Sequence, residues 1–327
     1  MKYSVVLLLL FCIACKKNNP NNGDTSPAPA PTPQLYSYTT IKPSTTTTGI
    51  TGYDNEHAVY HDTRVTSKNK LVVYLPGTSA TPSGYTELLK ASAAMGYHTL
   101  GLMYPNGSEL YSLALFSTDL TVMGRCRQEA FDGTDQIAGL TIDNANCIKT
   151  RLVKLLTYLN TSYPLQNWAQ YLNGTTDVQW SKVIIAGHSQ GGGHAFYIAK
   201  KVGVYRTIAF ASIDYNTNLN QNASWVTQPG VTPITSYYSI NHTADEVFAY
   251  ANVQIQLAAM GLTGPAINTE TATTPYSNSR TLTTTAIPAI TAFGNHSVTC
   301  IDSYLPRDAS NNPKATLVKA WEYLLEK

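Results

Sequence analysis

The sequence is poor in charged residues. Lys, Arg, Asp and Glu make up 13% of its 327 residues, and 22 basic residues nearly balance 20 acidic ones, which leaves a formal charge of +2. Nucleic-acid binding requires a concentrated positive surface that neutralises phosphates. Because the composition provides no such surface, we expect no nucleic-acid partner.

Long hydrophobic runs are scarce as well. The apolar run over residues 4–14 has only 11 residues, whereas a helix that spans a bilayer needs about 20. The hydrophobic fraction of 43% and the mean hydropathy of -0.14 exclude a protein with many membrane spans. The length is enough for one large domain or two ordinary ones, and no internal repeat is visible.

Motifs for metal ions and nucleotide cofactors are also missing. Cys126, Cys147 and Cys300 form no CxxC pair and lie near no histidine cluster with the spacing of metal ligands. The G-x-G-x-x-G spacing of a dinucleotide site is absent too. We therefore predict neither a metal site nor a cofactor.

The N-terminal segment has the features of an export signal. Lys2 precedes the apolar run, Ala14 directly precedes Cys15, and the sequence then becomes polar. This pattern resembles the signal of bacterial lipoproteins, in which the peptidase cuts before a cysteine that is then acylated. Cys12 is the weaker candidate because the bulky Phe11 precedes it, and Cys12 also stands where that family usually has Leu.

The resemblance implies a signal peptide over residues 1–14 and lipidation of Cys15. The protein would lie in the bacterial cell envelope, held at the periplasmic or outer surface by its lipid, with ordinary secretion as the alternative. Residues 15–48 are rich in Pro, Thr and Asn, a composition that forms no core and extends by about 3.1 Å per residue. We predict that they are a tether and that residues 49–327 are the folded domain.

The folded part alternates between strand and helix patterns. Short apolar, β-branched runs predict strands, and capped stretches with helical periodicity predict helices. The predicted strands are 70–75, 98–104, 182–186, 206–211, 236–240 and 281–287, and the predicted helices are 85–95, 144–159, 192–202, 244–260 and 315–326. This alternation indicates an α/β fold, a mostly parallel sheet with helices on both faces. Residues 105–143 and 161–180 break the pattern and are candidate insertions beside a site at the carboxyl ends of the strands.

A G-x-S-x-G motif follows one of these strands. Gly187, Ser189 and Gly191 lie between the apolar run 183–186 and a helix. In this context the two glycines make room for a sharp turn that exposes the Ser189 hydroxyl, and the amides of the helix N-terminus suit a developing oxyanion. The motif predicts a nucleophilic serine.

The motif and its setting resemble the α/β-hydrolase superfamily, in which an acid and then a histidine follow the serine along the chain. Of seven histidines, His296 alone lies far enough past Ser189, in a glycine-containing loop after the last predicted strand. The acids between them are Asp214, Asp245, Glu246 and Glu270. Asp245 is the leading candidate because it follows a strand and opens a predicted helix, and Asp214 is the alternative.

The resemblance also implies an oxyanion hole. Its donors would be the backbone N–H of Gln190 and that of Thr78, which lies in the turn after the strand 70–75. Pro76 departs from the His-Gly pair that this family commonly has in the turn, while Gly77 keeps the turn itself.

The three remaining cysteines are an odd number for an oxidising compartment. We predict a disulfide between Cys126 and Cys147, which would pin the irregular segment between them, and a buried, unpaired Cys300.

These features predict an exported serine hydrolase that cleaves a carboxylic ester through a Ser-His-Asp triad and an acyl-enzyme. Its partner would be a small-molecule or polymeric ester, and its contact with a membrane would be limited to the lipid anchor. A lipase or serine peptidase on the same scaffold is an alternative, and so is a surface-binding lipoprotein without activity.

Overall fold

The computed structural model describes residues 36–108, 113, 117–134 and 137–327. The predicted signal peptide, Cys15 and the first part of the predicted tether lie outside these ranges. The described residues belong to one unit, residues 34–327.

A nine-stranded sheet forms the centre of this unit. In chain order its strands are β1 Tyr36–Ile41, β2 His57–Asp62, β3 Leu71–Leu75, β4 His98–Gly101, β5 Val183–His188, β6 Arg206–Phe210, β7 Tyr237–His242, β8 Ile267–Asn268 and β9 Thr281–Thr284. Their spatial order is β1-β2-β4-β3-β5-β6-β7-β9-β8. The pairs β1–β2 and β2–β4 are antiparallel, and every other pair is parallel. The mostly parallel sheet of the sequence prediction is confirmed, and the fold is of the α/β class.

Helices cover both faces of the sheet. In chain order they are α1 Pro43–Thr46, α2 Thr86–Ala94, α3 Val122–Asp132, α4 Ile148–Ser162, α5 Gln190–Lys201, α6 Tyr250–Ala259, α7 Gly294–Ser297 and α8 Ala315–Glu326. Within the described part of the chain, no helix combines the length and the apolar composition needed to cross a bilayer.

Alternate side chains of the central strands enter opposite layers. In β3, Val73 packs in the layer that holds α4 and α5, whereas Val72 packs in the layer that holds α2 and α8. Every residue of β3 and of β5 is buried, because helices shield both faces of a parallel sheet. This is why the strands next to the site read as continuous apolar runs. Two short hairpins lie outside the sheet, each made of two strands of two residues. They pair Leu172–Asn173 with Asp177–Val178 and Tyr215–Asn216 with Gln221–Asn222.

The structure differs from the sequence prediction in the tether, in the segment 105–143 and in the helix after β7, and several strand and helix ends differ by three or four residues. The predicted tether 15–48 is too long at its carboxyl end, since β1 pairs with β2 along its whole length and α1 follows it. The predicted irregular segment 105–143 contains the helix α3. The helix predicted over 244–260 begins only at Tyr250, because the residues before it form a turn around the Asp245 carboxylate.

The predicted disulfide between Cys126 and Cys147 is wrong in this structure, where both cysteines are free and buried. They pack in the same small apolar cluster, so they are near each other, but each thiol has a different role. Cys147 caps α4, and its sulfur accepts a hydrogen bond from the Thr150 N–H. Cys126 lies on the buried side of α3. Cys300 is buried and free, as predicted.

Candidate active site

Ser189 lies at the junction between β5 and α5 in a strained backbone conformation. Its φ is 52° and its ψ is -117°, a region that costs on the order of 1–3 kcal/mol for a non-glycine residue. Two hydrogen bonds hold the junction, one from the Ser189 N–H to the Phe210 carbonyl at 2.9 Å and one from the Ser212 hydroxyl to the Ser189 carbonyl at 2.6 Å. The side chain is half-buried at the carboxyl end of β5.

The glycines of the motif are required by close backbone approaches. A Cβ on Gly187 would lie 2.3 Å from the Gly191 carbonyl carbon, and a Cβ on Gly191 would lie 2.0 Å from the Leu75 carbonyl oxygen. Backbone atoms cannot yield as a flexible side chain can. These are the collisions for which the motif predicts glycine.

His296 and Asp245 contact each other on two neighbouring loops. His296 lies in α7 after β9, and its Nδ1 is 2.9 Å from Asp245 Oδ2 and 3.2 Å from Oδ1. Nδ1 therefore carries a proton and donates a hydrogen bond to the carboxylate, which leaves Nε2 free to accept.

The Asp245 carboxylate is held in its charged form. Its Oδ1 also accepts the N–H groups of Val247 at 2.8 Å and Phe248 at 2.9 Å. Burial by itself would raise the pKa of Asp245, but the hydrogen bond and charge of His296 and these two amides lower it below its usual value.

The other acids between Ser189 and His296 have different surroundings. Asp214 accepts two hydrogen bonds from the Arg127 guanidinium and one of 2.8 Å from the Trp225 indole, in a fully buried ion pair. Glu270 accepts from the Thr284 hydroxyl, and Glu246 is exposed. Of the four candidates, Asp245 is the one that contacts His296.

A hydrogen bond joins the side chains of the two residues whose backbone N–H groups are the predicted oxyanion donors. The Thr78 hydroxyl donates to Gln190 Oε1 at 2.7 Å, which joins the turn after β3 to the first residue of α5. Asn106 fixes the same turn by donating from Nδ2 to the carbonyls of Gly77 and Ala80 at 2.6 and 2.8 Å. The backbone N–H groups of Thr78 and Gln190 therefore belong to segments that are fixed relative to each other.

Sequence reasoning missed a chain of hydrogen bonds behind the site. The Gly77 N–H donates to the Tyr85 hydroxyl at 3.0 Å, that hydroxyl donates to His188 Nδ1 at 3.1 Å, and His188 Nε2 donates to the His296 carbonyl at 3.0 Å. The arrangement needs a neutral His188, and burial, together with the nearby His296, lowers its pKa to about 3. The position of His188 inside the G-x-S-x-G motif was the available signal, whereas nothing in the sequence marks Tyr85.

Ser189 and His296 open into one cavity of about 420 Å³. Its walls are mainly apolar, and none of its described lining residues is Asp, Glu, Lys or Arg. The lining residues are Gly77, Thr78, Ala80, Tyr85, His188, Ser189, Val247, Phe248, Phe293, His296, Ser297 and Ile301. Among the residues that the structure describes, no group of three or more His, Cys, Asp or Glu side chains is placed to hold a metal ion.

No family model matches the chain, and no curated protein matches it. A comparison with solved structures matched 463 chains. One of them is the Thermogutta terrifontis esterase 2 phosphoramylated by tabun, which is 12% identical, with 90% of this chain and 96% of that chain covered and a TM-score of 0.45. At this level of similarity the site residues are identified from the geometry of this structure alone. That geometry places Ser189, His296 and Asp245 at the carboxyl edge of the mostly parallel sheet.

Proposed function

We propose that the protein is a serine hydrolase that cleaves carboxylic esters, with Ser189 as nucleophile, His296 as base and Asp245 as orienting acid. One observation carries the proposal: the imidazole bonded to Asp245 lines the same cavity as the serine of the strained junction. A nucleophile, a base and a group that orients the base are the parts that acyl transfer needs.

In the first half-reaction His296 Nε2 takes the proton of Ser189 Oγ as the oxygen attacks the ester carbonyl carbon. The carbonyl oxygen becomes an oxyanion, which the N–H groups of Gln190 and Thr78 stabilise. The intermediate then collapses to an acyl-serine, and His296 gives its proton to the departing alkoxide. Asp245 holds the imidazole in place and stabilises its cation.

In the second half-reaction water takes the place of the alcohol. His296 removes a proton from the water as it attacks the acyl-serine, and the same two amides stabilise the second oxyanion. Collapse returns the proton to Ser189 and releases the carboxylic acid. The enzyme ends in its starting state.

The choice of an ester is supported by the cavity and by the resemblance to α/β-hydrolases. A mainly apolar wall without formal charges among its described residues suits a neutral acyl group better than a charged peptide. The proposal is tested by comparing p-nitrophenyl butyrate, a long-chain p-nitrophenyl ester and a peptide p-nitroanilide. Hydrolysis of the esters that disappears in Ser189→Ala supports it, and hydrolysis of the amide alone would refute the ester assignment.

We also propose that the chain is exported and that Cys15 is acylated, on the strength of the N-terminal sequence. The test is incorporation of labelled fatty acid in a bacterial host, with Cys15→Ala and its matched control Cys12→Ala. We expect Cys15→Ala to lose the label and to leave the membrane fraction, while Cys12→Ala keeps both. Equal labelling of the two variants would refute the assignment.

A further inference from the structure

Four exposed apolar side chains lie on the two loops that carry Asp245 and His296, and we call them the apolar rim: Val247, Ile287, Ile290 and Phe293. Two of them, Val247 and Phe293, line the cavity. Ile287 is 84% exposed and Phe293 is 66% exposed. Single exposed apolar residues are ordinary, but several on the loops of one site indicate a binding surface.

Contacts within the loops bring the rim together. Asn295 Nδ2 donates to the Ala244 carbonyl at 2.9 Å and joins the loop after β9 to the turn after β7. A Cβ on Gly294 would lie 2.6 Å from Pro288 Cγ, so the segment 287–290 packs against the start of α7. Val247 and Phe293 themselves line the cavity with Ser189. Through these two residues the apolar rim reaches the cavity of the proposed reaction.

Phe293 is held in an unfavourable conformation to occupy its place. It precedes α7 with a φ of 54° and a ψ of 25°, the left-handed region that bulky residues rarely adopt. The Gly294 N–H bonds to the Thr291 carbonyl at 3.0 Å and fixes this bend. Strain of this kind is found at binding sites, where the surrounding structure enforces it.

The chemistry assigns the rim to one half of the substrate. His296 must hand its proton to the oxygen of the leaving alcohol, so that oxygen faces the imidazole. The proposed oxyanion donors belong to other segments, α5 and the turn after β3. All four rim residues belong to the loops on the histidine side. The alcohol part of the ester is therefore the part that we expect next to the rim residues.

Resting on the proposed function, we propose that the apolar rim binds the alcohol part of the ester, so that the substrates are esters of apolar, uncharged alcohols. Glu246 is exposed beside Val247 and opposes an anionic group there. The rim residues determine specificity and take no part in proton transfer.

Isomeric esters test this assignment. Butyl acetate and hexyl acetate lengthen the alcohol, while methyl pentanoate and methyl heptanoate place the same added carbons on the acyl side. We expect kcat/KM to rise by about two- to fourfold per methylene in the acetate series, and more steeply there than in the methyl series. A rise that is equal or steeper in the methyl series would overturn the proposal.

Two variants and a control locate the effect. Phe293→Ser and Val247→Ser should flatten the chain-length dependence of kcat/KM in the acetate series more than in the methyl series. Leu165→Ser removes another exposed apolar side chain, next to Gln166, whose carbonyl bonds to His98 at the amino end of β4, and should change neither series. Thermal melts by circular dichroism verify folding, and an acetate series that stays steep in both folded rim variants would refute the role of the rim.

A fluorophosphonate probe on the same samples separates the two proposals. Labelled, active protein without a preference for long alcohols contradicts the apolar rim alone. Folded wild-type protein that is neither labelled nor active on any of the four esters contradicts the proposed function, and the role of the rim with it.

Discussion

At the scale of single residues, two aspartates that both follow parallel strands have different partners. Asp245 bonds to His296, while Asp214 bonds to Arg127 and Trp225. The sequence left both open as the acid because chain order and strand ends do not distinguish them. Their partners separate the proposed role of Asp245 in catalysis from a role of Asp214 in stability.

Asp245→Asn should abolish most activity and keep the fold. The amide cannot hold the Nδ1–H tautomer of His296, and the comparable change in a serine protease triad costs about 10⁴ in kcat. We expect kcat on p-nitrophenyl butyrate to fall by about 10³–10⁴, with a melting temperature close to that of the wild type. Near-normal turnover would remove Asp245 from the proposed mechanism.

Asp214→Asn is the matched substitution and should act mainly on stability. Removing one partner of a buried ion pair leaves the Arg127 charge uncompensated, at a cost of about 3–5 kcal/mol. For a domain of this size we expect the melting temperature to fall by on the order of 10 °C. Calorimetry measures the shift, and an unchanged melting temperature would contradict the structural role of the pair.

At the scale of elements, the junction between β5 and α5 depends on the contact between Gly191 and the end of β3. Gly191→Ala introduces a Cβ 2.0 Å from the Leu75 carbonyl oxygen, whereas a Cβ on Gly84 would meet no atom within 4 Å. We expect Gly191→Ala to lower both the melting temperature and activity strongly, and Gly84→Ala to change neither. Equal melting temperatures for the two variants would show that the junction is looser than described.

The chain of hydrogen bonds through His188 couples three elements of the site. Tyr85→Phe removes the hydroxyl that accepts from the Gly77 N–H and donates to His188 Nδ1, so the turn at Gly77 and the His296 backbone lose a common support. We expect kcat to fall by about tenfold, which corresponds to ~1.4 kcal/mol.

Tyr97→Phe is the control for that change. Its hydroxyl donates to the Leu325 carbonyl in α8, away from the cavity, so this variant should keep its kcat. A similar loss of kcat in both variants would mean that Tyr85 acts only through general stability.

At the scale of the whole molecule, buried histidines make stability depend on pH. Burial, with smaller effects from neighbouring charges, lowers the pKa of His57, His98 and His188 to about 3 and holds that of His194 well below its usual value. In the unfolded chain these groups bind protons below their usual pKa near 6.5, while the folded protein excludes them. The unfolding free energy should therefore decrease as the pH is lowered below about 6.5, by up to about 1.4 kcal/mol per histidine for each pH unit.

Urea unfolding between pH 7 and 5 measures this slope, because carboxylates bind few protons there in either state. His57→Gln keeps an acceptor for the Met103 N–H, which His57 Nδ1 accepts at 2.9 Å, and should reduce the slope. A stability that does not change across this range would contradict the neutral state of the buried histidines.

Much of the fold and part of the site could be predicted because local patterns determine them. Short stretches of adjacent residues are enough to recognise the apolar runs of β3 and β5 and the glycines around Ser189. Chain order pointed to His296. The contacts of Tyr85 and Asn106 could not be predicted, since they join residues that are distant in sequence and no motif marks them.

The errors have physical reasons as well. The segment 36–48 has the Thr-rich composition of a tether, yet β1 gains its stability by pairing with β2, which composition does not reveal. The helix predicted from residue 244 starts later because the Asp245 side chain takes the amides of Val247 and Phe248. Cys126 and Cys147 share a cluster without a bond, because proximity alone does not orient two thiols for one.

The most direct test of the central claim is the site and stoichiometry of fluorophosphonate labelling, read by peptide mass spectrometry. The account predicts one adduct per folded molecule, located on Ser189, formed much more slowly in His296→Ala and absent in Ser189→Ala. Folded wild-type protein without an adduct, or with an adduct that persists in Ser189→Ala, would contradict it.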